Sequence, residues 1–220
     1  MHTQKIALNT QTFLYLSMRE MLHCCMQADL ASGKVVRQWN CVKNGVEVPM
    51  SDIAADTSTA QLDHRSTFLG LDGNRICRWD QRTAEGVVAD LSCTHGKDFA
   101  ARTNFTCMAT SGDGFVAGGS QDGKIRLFGS NKAMEDYGFA RACTAVPGLG
   151  LPIMSIDVSF DAKFVVATTS KYLIVVSTSF KDAKGSLTNG FVSRMGAQTP
   201  APRLLKLKPE DRIKAVRTCF

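Results

Sequence analysis

The sequence predicts an all-β protein built as a β-propeller. Three observations carry that expectation. A short apolar run, a tight turn and a second apolar run recur along the chain. Their spacing is close to fifty residues. An alternating or apolar strand precedes each pair, and a less regular one follows it. Four short strands per unit, repeated at such a period, is the plan of a propeller blade.

The hairpins define the units. Thr67–Leu71, the turn Asp72-Gly73-Asn74 and Arg75–Trp79 form the plainest one, because Gly and Asn accept positive φ at little cost. Phe115–Gly119, Gln121-Asp122-Gly123 and Lys124–Phe128 repeat it, as do Phe164–Thr169, Ser170-Lys171 and Tyr172–Ser177. Upstream, Cys24–Asp29 and a turn bearing Ser32-Gly33-Lys34 lead into a strand ending near Trp39. Aligning Cys25, Ile76, Ile125 and Leu173 gives steps of 51, 49 and 48 residues. Met50–Ala55, Phe105–Thr110 and Ile153–Phe160 read as the first strands of their units, and "IMSIDVSF" alternates apolar and polar as a half-buried strand should. Lys34–Trp39, Gly86–Ser92 and Ala140–Val146 read as outer strands. Helices are scarce; "SMREMLHCCMQ" has a helical composition that competes with the strand reading there.

Gly/Pro-rich joins at Gly45–Pro49, Pro147–Pro152 and Pro200–Pro202 are turns between blades, because the pattern resumes at once. Residues 1–20 read as an N-terminal remnant or partial strand, and 21–220 as a partial propeller of about four to five blades. Its polar, Gly-rich stretch 180–196 reads as a loop insertion or hairpin extension. Leu204, Leu205 and Leu207 read as the first strand of a further blade, followed by a solvated turn; Glu210 and Asp211 dilute the six basic residues of Arg203–Arg217.

Bulk properties agree with a globular chain of 220 residues that is 44 % hydrophobic and 21 % charged. A net charge of +6 favours acidic partners without requiring nucleic acid. Eight cysteines lack any C-x-x-C spacing, and several sit inside apolar strands, which suits reduced, buried thiols better than a disulfide framework. The N-terminus lacks a secretory pattern, no stretch is long enough to span a membrane, and Asn104-Phe105-Thr106 is then an idle glycosylation acceptor. The expected location is the cytoplasm.

No catalytic constellation assembles. "GGSQDG" misses a nucleophile elbow by one residue, and its Ser120 suits a turn. "SGDGFVAGG" has no Lys at phosphate-loop spacing. The histidines, His2, His23, His64 and His95, lack metal-ligand spacing, and Asp113 and Asp122 belong to turns rather than a calcium loop. No cofactor or metal is expected. Trp79 and Phe128 hold equivalent places in two units and read as packing between blades.

The strings "FLGLDGNRICRWD", "TNFTCMATSGDGFVAGGSQDGKIRLF", "AVPGLGLPIMSIDVSFDAKFVVATTSKYLIVVST", "GFVSRMG" and "APRLLKLKPED" closely resemble the C-terminal domain of the vacuolar import and degradation twenty-seven family of plants and fungi. The resemblance covers about residues 21–211. It implies a WD40-like propeller without known catalytic activity, linked by the family name to targeting of cytosolic proteins to the vacuole for degradation. Family members carry an upstream region resembling a pleckstrin-homology fold and a propeller that continues past "RLLKLKPED". This chain is therefore expected to be a fragment, a truncated product or a divergent short form. An open arc would expose strand edges and apolar faces and invite self-association.

Function then falls to the loops. Those expected on the face of the central hairpin turns contain Lys97, Arg102, Arg194 and Arg203, joined there by Lys171, Asp72 and Asp122. A mostly basic rim of this kind suits acidic peptides or acidic protein surfaces. The leading expectation is a non-enzymatic scaffold for protein–protein contacts. The alternative is a phosphoinositide- or membrane-surface-binding propeller. Such propellers carry Phe-Arg-Arg-Gly, whereas Phe99-Ala100-Ala101-Arg102 lacks the arginine pair.

Overall fold

Strands with one face against a core alternate in burial; strands covered on both faces read as continuous apolar runs. Both kinds occur in the computed structural model of the chain, which describes residues 6–9, 13–18, 21–29, 31–58, 67–80, 88–100, 103–130, 141–206 and 208. Nineteen strands and one 3-10 turn, Gly196–Gln198, make up the regular structure described. Blade I comprises β1 (Ile6–Asn9), β2 (Phe13–Met18), β3 (Met21–Asp29) and β4 (Val35–Lys43), with the short β5 (Val46–Glu47) folded back on β4. Blade II comprises β6 (Asp52–Ala55), β7 (Thr67–Asp72), β8 (Arg75–Asp80) and β9 (Val88–Asp98). Blade III comprises β10 (Phe105–Thr110), β11 (Phe115–Ser120), β12 (Ile125–Ser130) and β13 (Thr144–Val146). Blade IV comprises β14 (Ser155–Val158), β15 (Phe164–Thr168), β16 (Leu173–Ser177) and β19 (Arg203–Leu205). Between β16 and β19, the stretch 180–196 contributes most of a small hairpin of β17 (Ser179–Lys181) and β18 (Leu187–Asn189).

The all-β class and the hairpins at 67–80, 115–130 and 164–177 are as the sequence implies. The ambiguous segment around Cys24 is a strand. Three features differ. First, blades I and II are not separate sheets, because β4 pairs in parallel with β9 through Gln38–Val42 and Val88–Ser92. Both are outer strands with a free edge, and edge pairing satisfies their exposed N–H and C=O groups. β1 at one end of this joined sheet lies against β6 at the other. Second, Arg203–Leu205 does not open a new blade; it pairs with β16 as the fourth strand of blade IV. The 178–202 excursion returns the chain to that edge, and Pro200 and Pro202 hold it extended on the way in. Third, β1 and β2 fall within the stretch 1–20 that the sequence sets apart, yet β2 pairs with β3 from Phe13↔Asp29 to Met18↔Met21.

Blades II, III and IV stack face to face. Leu69, Leu71 and Ile76 of blade II meet Phe105, Met108, Val116 and Phe128 of blade III. Ala117, Ile125, Leu127 and Val146 on the other face of blade III meet Ile156, Val165, Ala167, Ile174 and Val176 of blade IV. The first strands lie side by side and are tied across the gaps. The Met108 N–H donates to Asp52 (2.8 Å), the Thr110 hydroxyl to the Ala55 carbonyl (3.0 Å), and the Thr106 hydroxyl to the Ile153 carbonyl. Gly119 makes the last approach possible: a Cβ there would sit 2.5 Å from Ile153 Cγ2. Trp79 and Phe128 are both fully buried, Phe128 in the core between blades II and III. Cys41, Cys77 and Cys107 are buried in strands, and Cys143 is half-buried.

Candidate interaction surface

The turns are built by one repeated device. In "SQDGK" the Ser120 hydroxyl lies 2.7 Å from Asp122 Oδ1 and 2.9 Å from the Lys124 carbonyl, while the Lys124 N–H donates to Asp122. In "SFDAK" Ser159 and Asp161 do the same, and the Lys163 N–H donates to Asp161 Oδ1. Ser111 caps the Phe115 N–H, and Thr169 accepts from the Tyr172 N–H. A short polar side chain thus replaces the missing turn partner of the backbone. The Arg126 guanidinium also donates to the Ser120 hydroxyl, so this side chain is tied into the turn from both strands of the hairpin.

The central hairpin turns and the blade-to-blade connections share one face and are stitched together. Asn74 accepts the Asn104 N–H (2.6 Å), and the Gln121 N–H donates to the Asn104 carbonyl (2.9 Å). The Asn104 and Gln121 side-chain amides also bond each other. Tyr172 reaches the Leu149 carbonyl at 3.1 Å, and Lys206 Nζ stands 6.0 Å over the Tyr172 ring. Lys97 Nζ lies 5.9 Å over the Phe99 ring. Glycines set the spacing: a Cβ at Gly148 would meet the Asp122 carbonyl at 2.5 Å, and one at Gly123 the Leu151 carbonyl at 2.6 Å.

The carboxylates on this face are already spoken for. Asp122 bridges Arg126 (3.1 Å) and Lys124 (3.3 Å). Partial burial works to raise its pKa, but the hydrogen bonds from Ser120, Arg126 and the Lys124 amide outweigh it and hold the group far below the usual carboxylate range. Asp98 pairs with Lys43 (3.7 Å) and Arg75 (3.6 Å). Asp72 is pushed upward by burial, against the pull of Arg75 and Lys43. Lys171 is exposed in the β15–β16 turn, and Lys97 and Lys206 border the same face, so among the described residues the charge left to solvent there is cationic.

The sequence-derived rim is therefore divided. Lys97 and Lys171 lie on the stitched face. Arg102 lies outside the described residues. Arg194 stands at the outer edge in the β18–β19 connection, in a groove of about 410 Å³ with Thr144, Pro147, Pro200 and Pro202. Arg203 lies within β19, paired with Val175, beside a second groove of about 670 Å³ lined by Phe164, Ser177 and Pro202. Two members were missed. Lys124 was readable from its place in the Asp122 turn; Lys206 was hidden by reading its strand as the start of another blade. Among the described residues, no group of three or more His, Cys, Asp or Glu is arranged to hold a metal ion, and no helix is long and apolar enough to cross a membrane.

Comparison with known proteins places this arrangement. The family described as VID27 C-terminal WD40-like domain matches residues 2–218. "Vacuolar import and degradation protein 27" of Schizosaccharomyces pombe is 32 % identical over 189 residues, covering 86 % of this chain and 22 % of that protein. The Saccharomyces cerevisiae protein of the same name is 28 % identical over 184 residues, covering 83 % of the chain and again 22 % of its own length. The chain thus spans about a fifth of the curated relatives it matches. Among solved structures, the WD40 domain of Toxoplasma gondii coronin superimposes with a TM-score of 0.55 at 13 % identity, over 78 % of this chain and 42 % of the other. That likeness carries the fold alone.

Proposed function

Because the chain belongs to the family whose C-terminal WD40-like domain it matches almost end to end, we propose that it is a non-enzymatic, cytoplasmic propeller scaffold that holds acidic segments of partner proteins. The names of its relatives connect the proposal to vacuolar import and degradation of cytosolic proteins. One observation carries the binding mode. Turns from three blades share a rigid face whose carboxylates are internally paired or partly buried, leaving Lys97, Lys171 and Lys206 to meet an anionic ligand. Lysines of this kind recruit carboxylates by field rather than by fixed geometry, so binding is salt-sensitive and tolerant of sequence.

The test is fluorescence anisotropy with a labelled Glu-rich peptide. Wild type should bind at low salt and release between about 50 and 300 mM, as expected from a Debye length near 10 Å at 0.1 M. K97E/K171E/K206E should weaken binding at least about tenfold. Unchanged affinity in the triple variant would sink the reading. Flotation on vesicles of acidic lipid without any peptide binding would replace it with the membrane-surface alternative.

A further inference from the structure

The outer rim between blades III and IV holds the groove of about 410 Å³ that contains Arg194. One wall is the end of blade III, with Thr144 of β13 and Pro147, and the other is the β18–β19 connection, with Arg194, Thr199 and Pro200. Both walls belong to blades that this chain itself supplies. Arg194 is the one charged residue among the described residues that line the groove, and it is exposed and forms no ion pair with them.

The connection is anchored from within and presents its polar groups outward. Met195 is buried; its N–H donates to the Thr144 hydroxyl at 3.2 Å, and its carbonyl accepts the Gln198 N–H at 2.9 Å. The 3-10 turn Gly196–Gln198 then delivers Thr199 in an extended conformation, φ −57° and ψ 118°, as a following proline demands. The Thr199 hydroxyl donates to the Gly196 carbonyl at 2.7 Å on the exposed side of the turn. Of the six prolines in the chain, Pro200 alone follows a serine or threonine. Ala201 is exposed and Pro202 prolongs the extended run. The step Thr199-Pro200 thus offers a hydroxyl on backbone already in the shape that a proline-directed kinase takes into its cleft.

We propose that Thr199 is a phosphorylation site for a proline-directed Ser/Thr kinase, and that Arg194 receives the phosphate across the groove. In the transfer the Thr199 oxygen bonds to the γ-phosphorus of ATP and the bond from that phosphorus to the bridging oxygen breaks. ADP leaves with the electron pair, and the hydroxyl proton passes to the kinase's catalytic carboxylate. The Gly196 carbonyl loses its donor but faces water, so the cost is small. The new dianion meets a guanidinium that the fold leaves unpaired, which is the arrangement that orders a segment on phosphorylation. The groove changes from one positive charge to a net charge of about −1. The connection is thereby held against blade III. This site is separate from the lysine face, and its failure would leave peptide binding untouched.

The folded chain would be incubated with ATP and a purified mitogen-activated protein kinase, and incorporation followed by intact mass and peptide mapping. Wild type should take up about one phosphate per chain, and T199A none. Phosphorus NMR then reads the pairing. The phosphate of modified wild type should titrate at least about half a unit below the value near 6 of a free phosphothreonine, and R194Q should return it to that value. Hydrogen exchange across residues 193–199 should slow about threefold or more on phosphorylation in wild type but not in R194Q. Both substitutions lie at the surface, so neither variant should melt much earlier than wild type. Incorporation that persists in T199A would overturn the proposal, as would incorporation only after the chain has been unfolded by heat, or none. So would a phosphate whose titration is indifferent to R194Q.

Discussion

Asp52 shows what a single buried carboxylate does here. It sits on the first strand of blade II and accepts the N–H of Met108 on the first strand of blade III, as well as that of Ile53. Nothing apolar can replace it without leaving the Met108 N–H buried and unmet. D52A should therefore cost about 2–3 kcal/mol, lowering the melting temperature by roughly 4–10 °C for a chain of this size, and D52N should cost less because its amide oxygen can still accept. The turn carboxylates make a different, pH-dependent contribution. Hydrogen bonds from Lys163 and Ser159 hold Asp161 down to about 2, and Asp122 lies lower still. A carboxyl whose folded pKa is depressed stabilises the fold above its unfolded value near 4, and that contribution disappears as pH falls through the folded value. Stability should therefore drop between about pH 4 and pH 2, and D122N should melt earlier at neutral pH but show a shallower acid limb. Asp72, raised by burial, works in the opposite sense: its contribution is present below about pH 4 and is lost as pH rises through its folded value. Thermal melts across pH would separate these groups. The turn residues were legible in the sequence because Ser, Asp and Gly at those spacings have a local mechanism. Asp52 was not, because its partner is 56 residues away.

At the scale of elements, close approach of strands decides more than propensity does. β11, "FVAGGS", carries two adjacent glycines in the middle of a sheet, which propensity alone would penalise. Each makes room for a neighbour: Phe105 packs over Gly118, and Ile153 and Cys107 over Gly119. G119A would force Ile153, a stiff β-branched residue in the blade III–IV core, to move. The expected loss is about 1–3 kcal/mol, read from urea unfolding, with no change in the turn face. A variant as stable as wild type would mean that the two blades do not approach as described. The strands themselves were legible: β10, buried along nearly its whole length, is mostly apolar, and β14 alternates. The parallel β4–β9 seam was not legible, because it joins backbone edges and leaves no mark in side-chain periodicity. β19 was misplaced for a related reason. Three residues of edge strand look alike whether they begin a blade or finish one, and only the length of the β17–β18 excursion decides.

Across the whole molecule, blade III is the link through which the other blades feel one another. Its two faces belong to two different cores, with Val116 and Phe128 turned to blade II and Ala117 and Leu127 turned to blade IV. Phe128 also meets Phe99 edge-on at 5.5 Å, tying the end of blade II into the same cluster. Removing it should open a cavity worth about 3–5 kcal/mol. The consequence should not stay local, because losing one face of blade III weakens the sheet that supports the other. F128A is therefore expected to lower a single cooperative transition, whether followed by circular dichroism or by tryptophan fluorescence. Two transitions, with only one displaced, would show that the blades fold independently. Hydrogen exchange should rank the sheets in the same way. Amides of β10–β12, covered on both sides, should be the slowest, and those of β14–β16, with Val166 and Leu173 facing solvent, should open first.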